Sequence, residues 1–279
     1  MKMNKLFNEQ WDYIPASETA HPYHSFAIDD VLQEIAGEEQ SLKFRAWVHD
    51  PFVILGLHDA RLPHLKDGLS YLSSIGYDYI VRNSGGLGVV LDAGILNISL
   101  IMEKEKAPMI DEGYELMLDL VGAALGDADV KAYEIQGSYC PGSYDLSIEG
   151  KKFAGVSQRR IKNGVAVQIY LSVSGSGASR AEIMKEFYRH AKKDTDTKFE
   201  YPLIQPEVMA SLNELLDKNW TVEDVLNKFR GVLNINPDAA YNLPSGYADK
   251  YEQYIQRMIK RNEKVRGNKD LEMFSSNSQ

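Results

Sequence analysis

The chain has almost no cysteine: Cys140 is the single thiol among 279 residues. One cysteine forms no intrachain disulfide, so covalent cross-links do not stabilise this fold, and disulfide-rich secreted scaffolds are excluded. The sequence also lacks a stretch rich in glycine, serine and proline that would separate one half from the other. A single domain is therefore expected, rather than two domains joined by a flexible linker.

Positive charge and long apolar runs are scarce as well. The 31 Lys and Arg residues are outnumbered by 40 Asp and Glu residues, which gives a formal net charge of -9. That balance argues against a partner that is a nucleic acid or an anionic membrane surface. No apolar run approaches the roughly 18 residues of a membrane span. The opening MKMNKLFNEQWDYIP is too polar for a secretory signal. We expect a cytoplasmic protein without a nucleic-acid or membrane partner.

Apolar periodicity alternates along the chain between strand-like and helix-like spacing. Residues 44–59, 79–102 and 144–173 have strand character, and Asn163-Gly164 predicts a hairpin turn. Helical spacing covers residues 62–77, 110–125, 179–191, 206–217, 221–234 and about 246–264. This pattern predicts an α+β fold, with mixed or antiparallel sheets and helices packed against them. The predicted boundaries are an N-terminal arm at 1–20, loosely ordered over its first dozen residues, a central domain at 21–235, and a helical C-terminal extension at 236–279 with a disordered tail.

Cys140 lies in GSYCPGSYD, a loop of glycine, serine and proline. A lone cysteine is commonly a small buried apolar side chain. A thiol in a loop is instead placed to react, provided that a nearby cation favours its thiolate. Lys151 and Lys152 follow 12 residues later, at the start of a strand that pairs back beside this loop. On a strand only one of the two lysines faces inward, and the pattern leaves open which one does.

RNSGGLGVVLD (82–92) is the other unusual stretch. It matches neither of the glycine-rich phosphate-binding patterns, so it is either a tight turn or a place where backbone approaches a ligand closely. The six histidines fit no zinc spacing, and no metal site is expected. Arg159 and Arg160 are either a solvated charge pair or a contact for an acidic partner.

Taken together, two segments resemble a known family. RNSGGLGVVLDAGILNISL resembles the motif R-R-x-S-G-G-G-A-V-x-H-D-x-G-N-L-N-x-S of the lipoate–protein ligase and octanoyltransferase superfamily, which shares its catalytic domain with biotin ligases. DLSIEGKKFAGVSQ resembles the second motif of that superfamily, with the motif lysine at Lys152. SYCPGSYDLSI is similar to the amidotransferase branch. The resemblance covers most of the chain, from residue 25 to about 235.

The sequence departs from the ligase motif at two positions. Leu87 replaces the third glycine, and Leu91 replaces the histidine before the aspartate. These changes make ATP-dependent lipoate activation less expected. Three alternatives stay open: a lipoate–protein ligase, an octanoyltransferase that uses octanoyl-acyl carrier protein, and a non-catalytic protein that binds lipoyl domains.

The resemblance implies a protein N-octanoyl or N-lipoyl amidotransferase of the protein lipoylation route. The donor would be the octanoylated or lipoylated glycine cleavage H protein, and the acceptors would be the lipoyl domains of 2-oxoacid dehydrogenase E2 subunits. The residues implied as catalytic are Cys140, which carries the acyl group as a thioester, and Lys152. Those implied to bind substrate are Arg82, Ser84, Gly85, Gly86, Asp145 and Gly155. The acyl chain is expected along residues 87–91 and 144–156. No cofactor is implied, and a monomer is expected.

Overall fold

The computed structural model describes residues 4–15, 21–49, 51–236 and 245–267. Its strands, in chain order, are β1 Gln10–Ile14, β2 Leu42–Trp47, β3 Phe52–Leu55, β4 Asp78–Val81, β5 Val89–Leu91, β6 Ile95–Glu103, β7 Lys131–Ala132, β8 Asp145–Ile148, β9 Lys151–Ile161, β10 Gly164–Ser172 and β11 Asn234–Ile235. An eight-stranded sheet has the order β11-β1-β2-β6-β10-β9-β8-β7, and a three-stranded sheet has the order β4-β3-β5. Both sheets are mixed. In the large sheet β1 pairs with β2 in parallel and β6 pairs with β10 in antiparallel register, and in the small sheet β3 pairs with β4 in parallel and with β5 in antiparallel register.

The helices are α1 Pro22–Glu39, α2 Leu65–Ser74, α3 Ile110–Leu125, α4 Gly177–Lys192, α5 Leu212–Leu216, α6 Val222–Val232 and α7 Ala248–Arg266. Within the described ranges, none of them combines the length and apolarity required to cross a bilayer. The large sheet separates two hydrophobic clusters. Helices α3 and α6 pack in one of them, and α1, α2, α4, α7 and the small sheet pack in the other.

The predicted α+β class is confirmed, and the helix predicted at 110–125 begins and ends where the sequence placed it. Two features differ. Helix α1 was not predicted, because most of its residues are buried and no single apolar stripe marks it. The prediction that the first dozen residues are loosely ordered was wrong for residues 4–12, since β1 pairs with β2 on one side and β11 on the other. Residues 1–3 and the tail predicted at MFSSNSQ (273–279) lie outside the described residues.

The hairpin between β9 and β10 forms one residue earlier than predicted. Gly164 pairs with Ile161, so the two-residue turn is Lys162-Asn163, and Lys162 has a φ of 49°. Gly164 serves a different purpose, because a Cβ there would lie 1.9 Å from the Gln33 carbonyl oxygen of α1. The glycine thus permits close packing of α1 against the hairpin, rather than the turn itself.

Helix α7 supports the strand that leads into the glycine-rich segment. Asn262 is fully buried, and its side chain accepts from the Val81 N–H at 2.7 Å and donates to the Val81 carbonyl at 3.0 Å. Asn262 thereby replaces a neighbouring strand at this edge of β4. Four residues later, Arg266 forms an ion pair with Asp78 and donates to the Tyr79 carbonyl. The helix is therefore bonded to the backbone that carries Arg82.

We expect Asn262→Ala to lower the free energy of unfolding by about 2–4 kcal/mol, because it leaves the buried N–H and C=O of Val81 unpaired. Urea denaturation of this variant and of Gln256→Ala, on the exposed face of the same helix, gives the measurement. Equal stabilities for the two variants would contradict the bracing role of Asn262.

Candidate active site

A cavity of about 300 Å³ opens between the two sheets. Six apolar side chains from helix α1 and from strands β2, β3, β5 and β6 form much of its wall: Phe26, Trp47, Ile54, Val89, Leu91 and Ile98. Its volume lies at the lower end of the range for small-molecule sites, so it fits a short chain or a ring rather than a large cofactor.

Every residue predicted for the site lines this one cavity. They are Arg82, Ser84, Gly85, Gly86, Cys140, Asp145, Lys152 and Gly155. They come from the segment between β4 and β5, the loop before β8, and strands β8 and β9. Their convergence shows a common location, while the chemical role of each residue remains a prediction. Within the stretches 87–91 and 144–156, where the acyl chain is expected, Val89, Leu91 and Val156 line the cavity, and most of its apolar wall comes from other segments. The position of the acyl chain stays a prediction.

The Cys140 thiol points at donors from the glycine-rich segment. The Leu87 N–H donates to Cys140 Sγ at 3.2 Å, and Arg82 Nη2 lies 3.6 Å from the same sulfur. The sulfur therefore faces one backbone N–H and one guanidinium group. Cys140 is only partly buried, and its φ is 47°, a left-handed conformation that costs a non-glycine residue about 1–2 kcal/mol. Surrounding contacts must hold this strained backbone in place.

Lys152 supplies those contacts. Its Nζ donates to the carbonyl oxygens of Tyr139 at 3.0 Å and Cys140 at 2.9 Å. It also forms a 2.8 Å ion pair with Asp145 and lies 3.3 Å from Ser138 Oγ. The ammonium is thus bonded to the two consecutive peptide carbonyls on either side of the Cys140 Cα atom. It holds the loop that carries Cys140 in its conformation.

A bulge explains why Lys152 and not Lys151 faces the cavity. Leu146 pairs with Ala154 and Ser147 pairs with Lys152, so Phe153 has no partner on β8. Phe153 and Ala154 consequently pack in the same hydrophobic cluster, although they are adjacent in sequence. In a regular strand Lys152 and Ala154 would lie on the same face of the sheet. The bulge places Lys152 on the opposite face, toward the cavity. Lys151 is exposed.

Asp145 is buried beneath the loop as the partner of Lys152. Burial raises the pKa of its carboxyl group above the usual value, whereas the Lys152 ammonium and the Ile135 N–H lower it. The carboxylate accepts from that N–H at 3.2 Å and from Ser138 Oγ at 3.4 Å. Gly155 lies opposite Asp145 on β9. A Cβ atom at this position would lie 3.6 Å from the Lys152 side chain, which is an ordinary van der Waals contact.

The glycine-rich segment rests on Gly56 and Asp59. A Cβ at Gly56 would lie 1.9 Å from the Gly86 carbonyl oxygen, so the two backbones touch. Asp59 is fully buried, accepts from the Gly56 N–H at 2.7 Å and from Tyr188 Oη at 2.9 Å. Burial raises the pKa of Asp59 to about 6. These contacts hold the Gly86 backbone in its position beside the Cys140 thiol.

Gly86 and Gly85 offer a matched pair of substitutions. Gly86 has a φ of 89°, and a Cβ there would lie 2.4 Å from Arg82 Nη2 and 3.1 Å from Cys140 Sγ; a Cβ at Gly85 would meet nothing within 4 Å. We expect Gly86→Ala to displace the guanidinium and to lower both acyl transfer and the rate of Cys140 alkylation by about 10²-fold. Gly85→Ala leaves the guanidinium in place and should stay close to wild type in the alkylation assay. Equal losses of alkylation in the two variants would show that the spacing around Gly86 is not important.

Arg159 and Arg160 both bond to other parts of the chain. Arg159 forms an ion pair with Asp30 and donates to the Asn83 carbonyl at 2.9 Å, which anchors the start of the glycine-rich segment. Arg160 donates to the carbonyl oxygens of residues 107, 108 and 109, just before α3. The interpretation as a solvated charge pair was therefore wrong, and contact with an acidic partner stays a prediction.

The sequence did not predict three polar residues that line the cavity, Tyr139, Gln168 and Tyr170. The hydroxyl groups of Tyr139 and Tyr170 are hydrogen-bonded to each other there, and burial raises the pKa of Tyr170 to about 12, so the phenol stays neutral. Gln168 lines the cavity and donates to Asp29, the buried ion-pair partner of Arg45. Tyr139 lies next to Cys140 in sequence, which was the one available signal for it.

Comparison with known proteins agrees with this architecture. The family model described as the lipoyl protein ligase A/B catalytic domain matches residues 21–234. Two similar proteins are both named octanoyl-[GcvH]:protein N-octanoyltransferase. The one from Macrococcus caseolyticus is 48% identical over 270 residues, 95% of this chain and 98% of its own. The one from Staphylococcus aureus is 48% identical over 274 residues, 94% of this chain and 97% of its own.

Solved structures show the same fold at lower identity. A lipoate-protein ligase A bound with ATP has a TM-score of 0.65 and 18% identity, with coverage of 91% of this chain and 95% of that chain. The putative lipoate protein ligase Ta0514 from T. acidophilum with bound lipoic acid has a TM-score of 0.64 and 16% identity, with the same coverage. At these identities the likeness concerns the fold alone.

Proposed function

The chain belongs to the lipoyl protein ligase A/B catalytic-domain family, and on that basis we propose that it is a cysteine-dependent protein N-octanoyltransferase. The donor is the octanoylated or lipoylated glycine cleavage H protein, and the acceptors are lysines of lipoyl domains on E2 subunits. The enzyme works in protein lipoylation as a cytoplasmic monomer. In this proposal residues 21–235 form the acyltransferase domain, 1–20 an N-terminal arm and 236–279 a C-terminal extension. The observation that carries the proposal is the Cys140 thiol at an apolar cavity, with Leu87 N–H and Arg82 as its donors.

In the first half-reaction, Cys140 Sγ attacks the carbonyl carbon of the acyl-lysine amide. The Leu87 N–H and the Arg82 guanidinium stabilise the thiolate, and then the oxyanion of the tetrahedral intermediate. Arg82 has a buried Nε donor with no partner among the described residues, so it has a hydrogen bond to give to that oxygen. Collapse breaks the C–N bond, and the departing lysine takes a proton for which Lys152 is the proposed source.

The acyl chain occupies the apolar cavity during the transfer. Seven buried carbons at ~0.8 kcal/mol each give roughly 5–6 kcal/mol, enough to favour an eight-carbon chain over shorter ones. Ser84, Gly85, Gly86 and Gly155 line the cavity with little side-chain bulk near the carbonyl end. Both an octanoyl and a lipoyl group satisfy this requirement.

In the second half-reaction, an acceptor lysine amine attacks the thioester. A thioester is activated relative to an amide, so covalent catalysis divides one difficult exchange into two easier steps. One amide replaces another of similar energy, and the cycle therefore consumes no nucleotide. A lipoate–protein ligase, by contrast, requires ATP and does not require Cys140.

The test is to incubate the protein with octanoylated H protein in the absence of ATP and follow its intact mass. A hydroxylamine-labile octanoyl adduct at Cys140, which then passes to an E2 lipoyl domain, is the expected result. An adduct that forms only from octanoyl-acyl carrier protein would keep the nucleophile and change the donor. Modification of a lipoyl domain that requires ATP and free lipoate, with no adduct, would establish a ligase instead.

A further inference from the structure

A second cavity of about 440 Å³ adjoins the first. Gly86 and Pro141 line both cavities, and Leu87, whose N–H donates to Cys140 Sγ, lines the second one as well. We call this second cavity the outer groove. Cys140 itself lines only the first cavity, so the outer groove meets the thiol through its neighbours Gly86, Leu87 and Pro141.

Aromatic rings form the fixed wall of the outer groove. His58 and Phe199 stack with ring centroids 3.9 Å apart and planes 13° apart, and Phe199 meets Tyr201 edge to face at 5.1 Å. Tyr201 Oη donates to the His58 carbonyl at 2.7 Å, which ties the loop around residue 200 to the segment after β3. A wall of this kind accepts an aliphatic stem along its faces and attracts an ammonium group.

Acidic side chains form the rim of the outer groove. Glu134 and Glu200 line it from opposite loops, and both are exposed. The inner cavity, in contrast, is lined by the cations Arg82 and Lys152. Among the described residues, Asp145, the ion-pair partner of Lys152, is the one carboxylate that lines the inner cavity, so the formal charge is positive there and negative in the outer groove.

Exposed apolar side chains flank the rim. Leu203 is 88% exposed and lies three residues after Glu200, and Tyr133, next to Glu134, is 45% exposed. Exposed apolar groups beside a polar groove are typical of a surface that receives another protein. The groove thus has the features needed for a lysine side chain that projects from a protein domain.

We propose that the outer groove receives the charged side chain of the acceptor lysine, with Glu134 and Glu200 attracting its ammonium group and the aromatic wall contacting its methylene stem. The proposal rests on the acyl-transfer function proposed above. The bound ammonium first releases one proton to solvent, and the resulting amine attacks the thioester carbonyl. The C–N bond forms, the C–S bond breaks, and a second proton passes from the nitrogen to the departing Cys140 thiolate.

This assignment predicts that Glu134 and Glu200 affect the rate of the second half-reaction more than the rate of the first. The acyl-lysine of the donor is a neutral amide, whereas the acceptor lysine arrives as a cation. Removal of the rim carboxylates should therefore slow attack by the acceptor more than acylation by the donor.

The experiment isolates the second step with small molecules. Cys140 is loaded with an octanoyl group from octanoyl-N-acetylcysteamine thioester, and the loss of the adduct is followed by intact mass. Two nucleophiles are compared: Nα-acetyl-lysine methylamide, which is cationic, and hydroxylamine, which is uncharged at neutral pH. The variant is Glu134→Gln/Glu200→Gln, and the control with the same charge change is Glu105→Gln/Glu223→Gln, at exposed sites outside both cavities.

We expect the rim variant to slow attack by the lysine derivative about tenfold at low salt, with a smaller difference at high salt. Attack by hydroxylamine should be unchanged, and the control should match wild type with both nucleophiles. Unchanged attack by the lysine derivative, or an equal loss with both nucleophiles, would overturn the proposal. If the rim effect is present but octanoylated H protein fails to load Cys140, the groove assignment stands and the donor in the proposed function is wrong.

Discussion

Replacement of Cys140 by alanine should abolish the octanoyl adduct and reduce octanoyl transfer by about 10⁴-fold or more. The reason is that no other described side chain combines a nucleophilic atom with the Leu87 N–H and Arg82 donors. Direct attack of a lysine amine on an unactivated amide is the only remaining route, and it is slow at neutral pH. Transfer between purified donor and acceptor domains, measured by intact mass, gives the comparison.

Cys140→Ser separates loss of the nucleophile from collapse of the loop. A serine hydroxyl still accepts from the Leu87 N–H and keeps a side chain at a φ of 47°. We expect this variant to fold with wild-type stability and to stay inactive, because the hydroxyl group remains protonated without a base to activate it. Transfer by either variant at more than a few per cent of the wild-type rate would exclude the thioester mechanism.

The predicted site residues came from the family resemblance, and they converge on one cavity because they lie in two short segments. The stretches 82–92 and 137–160 hold all the predicted positions, and pairing of β8 with β9 places Asp145 opposite Gly155. Local order along the chain placed a lysine near Cys140 but did not choose between Lys151 and Lys152. The same reasoning recognised α3 from its periodic apolar residues.

Features that depend on contacts between distant elements were not predictable in this way. Arg82 approaches Cys140 across 58 positions, and Asn262 bonds to Val81 across 181. The bulge at Phe153 changes the face of the sheet on which Lys152 lies, and no pattern in the sequence predicts this bulge. Helix α1 was not predicted for a related reason. It is buried on several faces, so its apolar residues do not form a single stripe with a 3.6-residue period.

Lys152→Met should affect both stability and catalysis. It leaves the Asp145 carboxylate in a buried site without its ion-pair partner, which lowers the free energy of unfolding by about 3–5 kcal/mol at neutral pH. It also frees the Tyr139 and Cys140 carbonyls that hold the strained loop. Transfer should fall by about 10³-fold, since both the loop position and the proposed proton source are lost. Lys151→Met, at the exposed neighbour, should change neither property.

The stability loss in Lys152→Met should depend on pH. Burial already raises the pKa of Asp145, and removal of the ammonium takes away the main opposing effect. A carboxyl group whose pKa is raised in the folded state favours folding below its unfolded-state pKa of about 4, and this contribution is lost as the pH rises through the folded-state value. The variant should therefore approach wild-type stability in acid and diverge from it toward neutral pH. Urea denaturation at several pH values tests this.

The double variant Lys152→Met/Asp145→Asn distinguishes the two roles of Lys152. Neutralising Asp145 removes the uncompensated buried charge, so most of the stability lost in the single variant should return. Transfer should stay low, because neither the contacts to the Tyr139 and Cys140 carbonyls nor the ammonium are restored. If activity returned together with stability, Lys152 would serve only to neutralise Asp145, and the proton in the acyl-transfer cycle would have to come from another group.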